Sequence, residues 1–254
     1  MMNNPKISVI TPTRDREEKL EQVRECLKNQ TVKPIMWSVV DDSRSALPDK
    51  FFTDLPFPHR YTHLKRTLPI SIAYNSALAL DLCPRSDIYV IFEDDDYYPP
   101  TYIENAISFF SSDADELVGN RRWPDYRLTD PSYRVRMTNP TGKQGGLAEW
   151  HHTLIKGHDL CMRIVSFGRG RPAARSFDCD LRDYLVRCGV RYTLFDFGEE
   201  HSCISLKGYG GGGGVIDAHR SSEGFTPDTD YVMLKKWLGE DIHRYQKFLR
   251  VPLK

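Results

Sequence analysis

Four consecutive carboxylates, Glu93-Asp94-Asp95-Asp96, follow the most strand-like segment of the chain, Ile88 to Phe92. Like charges held this close repel one another, and at least one pKa would rise unless a cation neutralised them. Mg²⁺ or Mn²⁺ takes one or two carboxylates and completes its coordination with water and phosphate oxygens. The run therefore predicts a divalent metal site that works together with a phosphate-bearing ligand. The alternative is a solvated acidic turn before the next helix, where negative charge is favourable.

Two more polar clusters stand at the ends of predicted strands. Thr11 to Arg14 follow the apolar run Ile7 to Ile10, and Asp41 to Ser43 follow Met36 to Val40. Strands alternate with helices in this part of the chain, which indicates right-handed crossovers and a mostly parallel sheet covered on both faces. Ligands bind beyond the carboxyl ends of the strands in such sheets. We therefore expect the two clusters and the acidic run to converge on a single site.

Hydrophobic periodicity places the remaining elements. Helices are predicted over residues 16–29, 70–82, 177–189 and 228–249, with another from Pro99-Pro100 to Phe110, and weaker strands over 61–64 and 191–197. Asp15 and Glu18 have the spacing of a capping box at the start of the first helix. Residues 120–146 are polar and predict a long surface excursion, while the glycine-rich residues 208–214 predict a flexible lid or a plain linker.

Bulk properties narrow the class of protein. The chain has 254 residues, 40% of them hydrophobic, which is typical of a packed globular protein. Its net charge of zero argues against nucleic-acid binding by charge alone. No apolar segment reaches the roughly 20 residues needed to cross a bilayer, the first residues lack a signal-peptide pattern, and the six cysteines show no metal-binding spacing. These features predict a cytoplasmic protein with free thiols.

Three segments taken together resemble family 2 glycosyltransferases of the GT-A fold. They are residues 7–16 (ISVITPTRDR), residues 39–43 (VVDDS) and residues 91–96 (IFEDDD), the last followed by Pro99-Pro100. The family shows a strand running into a Pro-Thr-x-x-Arg loop, a strand ending in an Asp-Asp-Ser-like turn, and an Asp-x-Asp metal motif. The resemblance implies an α/β fold of GT-A type, with a Rossmann-like, mostly parallel sheet flanked by helices. It also implies a catalytic domain over 1–227, divided into a nucleotide-sugar half (1–110) and an acceptor half (111–227), and a C-terminal helical extension over 228–254.

The resemblance also implies roles for individual residues. The residues expected to contact the nucleotide sugar are Thr11, Pro12, Arg14, Asp41, Asp42, Arg66 (or its neighbour Lys65), Asp94 and, in a supporting place, Asp95. The metal ligands are expected to be Asp94 and Asp96, with His201 as a later ligand just before the glycine-rich segment. His219 competes with His201 for that role, and a lone histidine is also often structural. Asn75 matches an asparagine at a helix start of the family, although the usual upstream glycine is missing.

Residues 178–182 (DCDLR) resemble the helix start at which inverting family members carry their general base. The resemblance implies that Asp178, or else Asp180, deprotonates the acceptor hydroxyl as that oxygen attacks the anomeric carbon. The alternative is that Asp178 only caps the helix. Four aromatic or imidazole side chains lie where GT-A proteins build the acceptor pocket, although they fit a hydrophobic core equally well: Trp123, Trp150, His151 and His152.

The sequence therefore predicts a metal-dependent, inverting glycosyltransferase that uses Mn²⁺ or Mg²⁺ and a nucleotide-diphosphate sugar of the UDP type. The expected acceptor is a hydroxyl of a glycan or glycolipid. One alternative is transfer to hydroxylated bases in DNA, which the neutral net charge disfavours. A sugar nucleotidyltransferase of similar fold would normally carry a glycine-rich phosphate loop after the first strand, and residues 11–14 lack those glycines. A non-catalytic sugar-binding relative is disfavoured because the Asp-x-Asp pair is intact.

Overall fold

The computed structural model describes residues 4–65, 72–110, 116–137, 152–170, 177–208 and 224–249. Several sequence predictions fall outside these ranges: the role of Arg66, the later part of the polar segment (138–146), the acceptor-pocket role of Trp150 and His151, the glycine-rich segment beyond Gly208, and His219 as a metal ligand.

A seven-stranded sheet forms the centre of the molecule. Its strands are β1 (Ile7–Thr13), β2 (Met36–Asp41), β3 (His59–His63), β4 (Ile88–Ile91), β6 (Glu116–Asn120), β9 (Thr153–Lys156) and β10 (Arg191–Phe195). They lie in the order β10-β6-β9-β4-β1-β2-β3. Every neighbouring pair is parallel except the two that include β9, which runs antiparallel to β4 and β6. The sheet is thus mainly parallel, as the sequence predicted.

Helices cover both faces of this sheet. They are α1 (Glu17–Asn29), α2 (Ile72–Asp81), α3 (Tyr102–Ser108), α4 (His158–Arg169), α5 (Phe177–Arg187), α6 (Val232–Leu238) and α7 (Ile242–Tyr245). Successive strand side chains point to opposite faces, so β1 contributes Val9 to one hydrophobic core and Ile10 to another. The first core includes side chains of α1, α3, α6 and α7, and the second includes those of α2, α4 and α5. The C-terminal helices therefore pack into a core that they share with the central sheet.

Helices α2 and α4 cross at very short range. A Cβ atom added at Gly168 would lie 2.6 Å from Ala77 Cβ and 2.9 Å from the Ala73 carbonyl oxygen. Only a residue without a side chain fits this crossing without displacement of a neighbour.

A second, five-stranded sheet was not predicted. It contains β5 (Asp96–Tyr97), β7 (Arg122–Arg127), β8 (Ser132–Met137), β11 (Ile204–Lys207) and β12 (Thr226–Pro227), in the order β12-β8-β7-β11-β5. One of its faces packs on α6, where the Trp237 ring lies 6.4 Å from Tyr126 and 5.6 Å from Tyr133. The acidic run carries the chain from β4 in the large sheet to β5 in this one.

Several local predictions were wrong, each for a physical reason. Residues 120–137 form paired strands rather than a surface excursion. Asp15 does not cap α1, because its backbone N–H donates to Ser43 Oγ (2.6 Å) and its carboxylate accepts from the Arg44 N–H (3.0 Å). The C-terminal helix is broken at Gly239, which has a φ of 53°. Helix α4 was missed altogether.

Five cysteine side chains are described, and each is a free thiol in the structure: Cys26, Cys83, Cys161, Cys188 and Cys203. Within the described ranges no helix has both the length and the apolar character that a bilayer crossing requires.

Candidate active site

The ends of three parallel strands meet at one edge of the large sheet. Strand β1 lies between β2 and β4, so its last residue, Thr13, reaches both neighbours. The Thr13 hydroxyl donates a 2.6 Å hydrogen bond to Asp94 Oδ2, and the Thr13 carbonyl accepts one of 3.2 Å from the Asp42 N–H. This is the convergence that the alternation of strands and helices predicted.

Arg16 neutralises part of the acidic run. Its Nη1 atom lies 2.7 Å from Asp94 Oδ1 and 3.3 Å from Asp95 Oδ2. Burial raises the pKa of Asp94 to about 6, although Arg16 and the Thr13 hydroxyl act in the opposite direction. Asp94 is thus held between a guanidinium and a hydroxyl.

Two lysines add positive charge near the run. Burial lowers the pKa of Lys19, and the carboxylate of Asp95 counteracts this effect. Lys207 Nζ lies 3.6 Å from Asp96 Oδ1. Together with Arg16, these lysines place three cationic side chains around four carboxylates.

Among the described residues, three carboxylates of the run lie close enough together to hold a metal ion. Ligand atoms of Glu93, Asp95 and Asp96 all lie within 4.8 Å of one another. Tyr98 follows the run in sequence and contacts its first residue: the Tyr98 hydroxyl accepts a 2.7 Å hydrogen bond from the Glu93 N–H. Asp94, one of the two ligands expected from the Asp-x-Asp resemblance, points instead to Arg16 and Thr13. Asp96 belongs both to the expected ligands and to this candidate group.

The two aspartates after β2 have different surroundings. Asp41 accepts hydrogen bonds from the Ser43 N–H (2.8 Å), the Ser43 hydroxyl and the Tyr61 hydroxyl (2.7 Å), so its carboxylate holds the turn. Asp42 lies 3.9 Å from Arg14 Nη1. Burial raises the pKa of Asp42, while Arg14 and Asn75 lower it. Asp42 is therefore the member of the pair with more capacity to accept a further hydrogen bond.

A cleft of about 270 Å³ opens between β1, β2 and the start of α1. Its lining is mainly polar and includes Thr13, Asp15, Arg16, Asp41, Ser43 and Arg44. Thr11 and Pro12, two residues expected at the nucleotide, are buried in β1 and do not line this cleft. The Thr11 hydroxyl accepts a 3.0 Å hydrogen bond from the Trp37 indole N–H, so this side chain stabilises the sheet.

The other expected site residues lie further along the chain. His201 Nδ1 lies 2.8 Å from the Thr101 hydroxyl, and His201 is not part of the carboxylate group described above. The pairing of β11 with β5 places Ser205 opposite Asp96, and His201 precedes Ser205 by four residues in sequence, at the end of a short 3-10 helix. Asp180 is half-buried on α5, and Asp178 is in the first turn of the same helix with its side chain outside the described part of the structure.

Sequence reasoning missed Arg16 and Lys207. One signal was available for Arg16: a basic residue directly before a helix opposes the helix dipole, so its presence there suggests another partner. Lys207 carries no such signal, because its approach to Asp96 depends on the pairing of β11 with β5.

Comparisons with known proteins give one family model and several solved structures of similar fold. The family model for glycosyl transferase family 2 matches residues 8–167. Crystal structures of S. aureus TarS 1–349, alone and in complex with UDP, superpose with TM-scores of 0.53 and 0.54 at 11% and 12% identity. The alignment with TarS covers 79% and 80% of this chain and, in both cases, 60% of TarS 1–349. The mannosyltransferase PcManGT from Pyrobaculum calidifontis, in complex with GDP-Man and Mn²⁺, gives a TM-score of 0.54 at 14% identity, covering 80% of this chain and 57% of that one.

This chain thus spans about three fifths of the length of these structures. No curated protein is similar enough in sequence to be matched.

Proposed function

We propose that this chain, which belongs to glycosyl transferase family 2, is a metal-dependent glycosyltransferase that moves a sugar from a nucleoside-diphosphate donor to an acceptor hydroxyl by inversion. The observation that carries the proposal is the meeting of three strand ends at Thr13, Asp42 and Asp94, with a carboxylate group and a polar cleft beside them. Two structures of similar fold were obtained with UDP and with GDP-Man and Mn²⁺, and these ligands are consistent with such a donor.

The acidic run has the chemistry to hold Mn²⁺ or Mg²⁺. Glu93, Asp95 and Asp96 offer hard oxygen ligands within 4.8 Å of one another. In this proposal Asp96 is the central ligand, and Asp94 stays fixed by Arg16 rather than joining the first coordination sphere. A divalent cation held there would offset the negative charge that develops on the departing diphosphate.

The cleft beside the run is proposed to take the nucleoside. Asp42 stands in sequence between Asp41 and Ser43, which line the cleft, and is proposed to accept a hydrogen bond from the base beside it. Arg14, 3.9 Å from Asp42, would limit its charge repulsion with the donor. Arg16 lines this cleft and contacts Asp94, while Lys207 lies 3.6 Å from Asp96, so a diphosphate that reaches the carboxylates would meet positive charge. A UDP-type donor is the specific proposal.

A carboxylate on α5 is proposed to accept the proton of the acceptor hydroxyl. Asp178, or Asp180 in its place, would accept the proton of the acceptor hydroxyl while that oxygen attacks the anomeric carbon and the diphosphate leaves. Attack from the opposite side of the ring inverts the anomeric configuration. The proposed acceptor is a glycan or glycolipid.

A donor screen tests the proposal. Purified protein is incubated with UDP-, GDP- and dTDP-sugars in the presence of Mn²⁺ or Mg²⁺, and release of the nucleoside diphosphate is measured. We expect release with at least one donor and its loss in EDTA. Asp96→Asn should lower the rate by at least about a hundredfold, since a metal site contributes several kcal/mol to such a reaction.

Asp87→Asn is the matched control, because Asp87 is an exposed carboxylate at the opposite end of β4. Its rate should stay within about twofold of the wild type, as expected for a surface substitution away from the site. If no donor is turned over with either metal, or if Asp96→Asn is as active as Asp87→Asn, the proposal is wrong.

A further inference from the structure

Lys207 forms an ion pair with a fully buried carboxylate of the acidic run. Asp96 has 0% of its surface exposed, and Lys207 Nζ lies 3.6 Å from its Oδ1 atom. The Lys207 side chain is itself only 16% exposed. Water therefore screens this pair weakly, and the ammonium supplies part of the positive charge that a buried carboxylate requires.

Paired strands fix the backbone on both sides of this contact. Ser205 lies opposite Asp96 where β11 pairs with β5, and Lys207 comes two residues later in β11. Residues two apart on a strand project from the same face, so Lys207 and Asp96 share one side of the small sheet. The Lys207 carbonyl also accepts a 2.9 Å hydrogen bond from the Leu128 N–H. The backbone at Lys207 is thus held, while its long and flexible side chain can change position.

A divalent cation at the candidate metal group would compete with this ammonium. Asp96 belongs both to the ion pair and to the group that it forms with Glu93 and Asp95. A cation bound by Asp96 and the ammonium of Lys207 would therefore stand beside the same carboxylate. Like charges this close repel strongly where little water separates them. The ion pair and a bound cation are thus mutually unfavourable.

A diphosphate removes this conflict. Its oxygen atoms can coordinate the divalent cation and accept hydrogen bonds from a lysine ammonium at the same time. Lys207 can exchange Asp96 for a phosphate oxygen by rotation of its side chain, because its backbone is already held beside β5. Arg16 is placed differently, since its shorter contact (2.7 Å) is with Asp94, which lies outside the candidate metal group. Lys207 is therefore the cation whose pairing depends most directly on what Asp96 binds.

We propose that Lys207 couples the binding of the divalent cation to the binding of the nucleoside diphosphate. Without a nucleotide, its ammonium neutralises Asp96 and weakens the affinity for a cation. When both ligands arrive, the ammonium moves from Asp96 to a diphosphate oxygen, and it then strengthens nucleotide binding. The inference rests on the proposed function, because it requires a divalent cation at the acidic run beside a diphosphate.

Binding of Mn²⁺ alone gives the first test. Mn²⁺ is titrated into the full chain without nucleotide, and the free ion is measured by electron paramagnetic resonance. Lys207→Met should bind Mn²⁺ about tenfold or more tightly than the wild type does, because an adjacent positive charge is removed. Lys207→Arg keeps the charge and should stay within about threefold of the wild type. Lys28→Met is the matched control and should change nothing, since Lys28 lies in the last turn of α1 and pairs with Asp54, whose side chain is 53% exposed.

Nucleotide binding gives the second test, and the expected change has the opposite sign. Affinities for UDP and GDP are measured by calorimetry at saturating Mn²⁺. Lys207→Met should bind the preferred nucleotide at least about threefold more weakly than the wild type, because one charged contact with the diphosphate is lost. A variant that is only structurally damaged would bind both Mn²⁺ and nucleotide more weakly. Melting temperatures check folding, and Lys207→Gln replaces Lys207→Met if that variant does not fold.

Opposite changes in the two affinities support the inference. It is overturned if Lys207→Met binds Mn²⁺ alone no more tightly than the wild type, or if it binds the nucleotide equally well. It is also overturned if the wild type binds no Mn²⁺ even with UDP or GDP present. That last result would contradict the proposed metal dependence as well. The first two results, obtained together with metal-dependent release of a nucleoside diphosphate in the donor screen, would contradict the inference alone.

Discussion

Arg16→Met tests whether the positive charge of Arg16 stabilises the acidic run in the absence of a metal ion. Arg16 Nη1 lies 2.7 Å from Asp94 and 3.3 Å from Asp95. Asp94 is buried, and Arg16 keeps only 16% of its side-chain exposure. Methionine retains much of the length and apolar contact of arginine but removes the charge and the donors. The substitution therefore isolates the electrostatic contribution.

The expected loss follows from the geometry. Opposite unit charges about 4 Å apart attract by roughly 4 kcal/mol at an effective dielectric constant near 20. Removal of one member of a buried pair typically costs about 3–5 kcal/mol, because the remaining charge has no compensation. Asp95 is more exposed than Asp94, so its contribution is smaller. We expect Arg16→Met to lower the free energy of unfolding by about 3 kcal/mol at neutral pH without divalent ions.

Urea and thermal unfolding in EDTA provide the assay. In a chain of this size, about 3 kcal/mol corresponds to a fall in melting temperature of roughly 6–12 °C. Arg24→Met on α1 is the control, since the side chain of its partner Asp54 is 53% exposed. Arg24 itself is about as buried as Arg16, with 13% of its side chain exposed, but water screens the Asp54 carboxylate, so loss of this pair should cost at most about 1 kcal/mol. If the two variants lose equal stability, or if Arg16→Met loses less than about 1 kcal/mol, Arg16 does not neutralise Asp94 as we infer.

Two further predictions concern packing and thiol reactivity. Gly168→Ala should lower stability by about 1–2 kcal/mol in urea unfolding, because overpacking against Ala77 outweighs the gain in helix propensity. Gly170→Ala, whose added Cβ has no neighbour closer than 3.6 Å, should cost nothing, and equal losses in the two variants would contradict the prediction. Burial raises the pKa of the Cys83 thiol to about 12, so iodoacetamide at pH 8 should modify exposed Cys188 well before Cys83. Peptide mass spectrometry reads the order, and earlier modification of Cys83 would show that its thiol is not protected.

Strong local patterns made the first third of the chain predictable. The runs that became β1, β2 and β4 are apolar and β-branched, and each precedes a helical repeat, so their parallel arrangement followed from general rules of connection. The segment that became β7 contains Pro124 and Asp125, residues that are poor strand formers in isolation. Its strand conformation depends on pairing with β8 and β11. Local sequence carries little information about such pairing.

The same distinction applies to the candidate site. Its location was predictable because strand ends in a parallel sheet share an edge. The directions of Asp94, Asp95 and Asp96 were not, since neighbouring residues in a tight turn point to different sides and only the surrounding contacts select them. Those contacts include Arg16, and their geometry depends on the packing of α1 beside the sheet. The sequence shows that four carboxylates follow β4. Only the tertiary structure shows which of them contacts Arg16 and which lie close enough together to share a cation.

The acidic run is one of the places where the chain passes from the large sheet to the five-stranded one. Glu93 follows β4 of the large sheet, and Asp96 lies in β5 of the small one. A cation held by both residues would cross-link the sheets, and amide hydrogens on each side would exchange with solvent more slowly when it binds. Such a cation would then also fix the position of the five-stranded sheet relative to the large one. In the proposed reaction, departure of the cation with the nucleoside diphosphate would release that constraint.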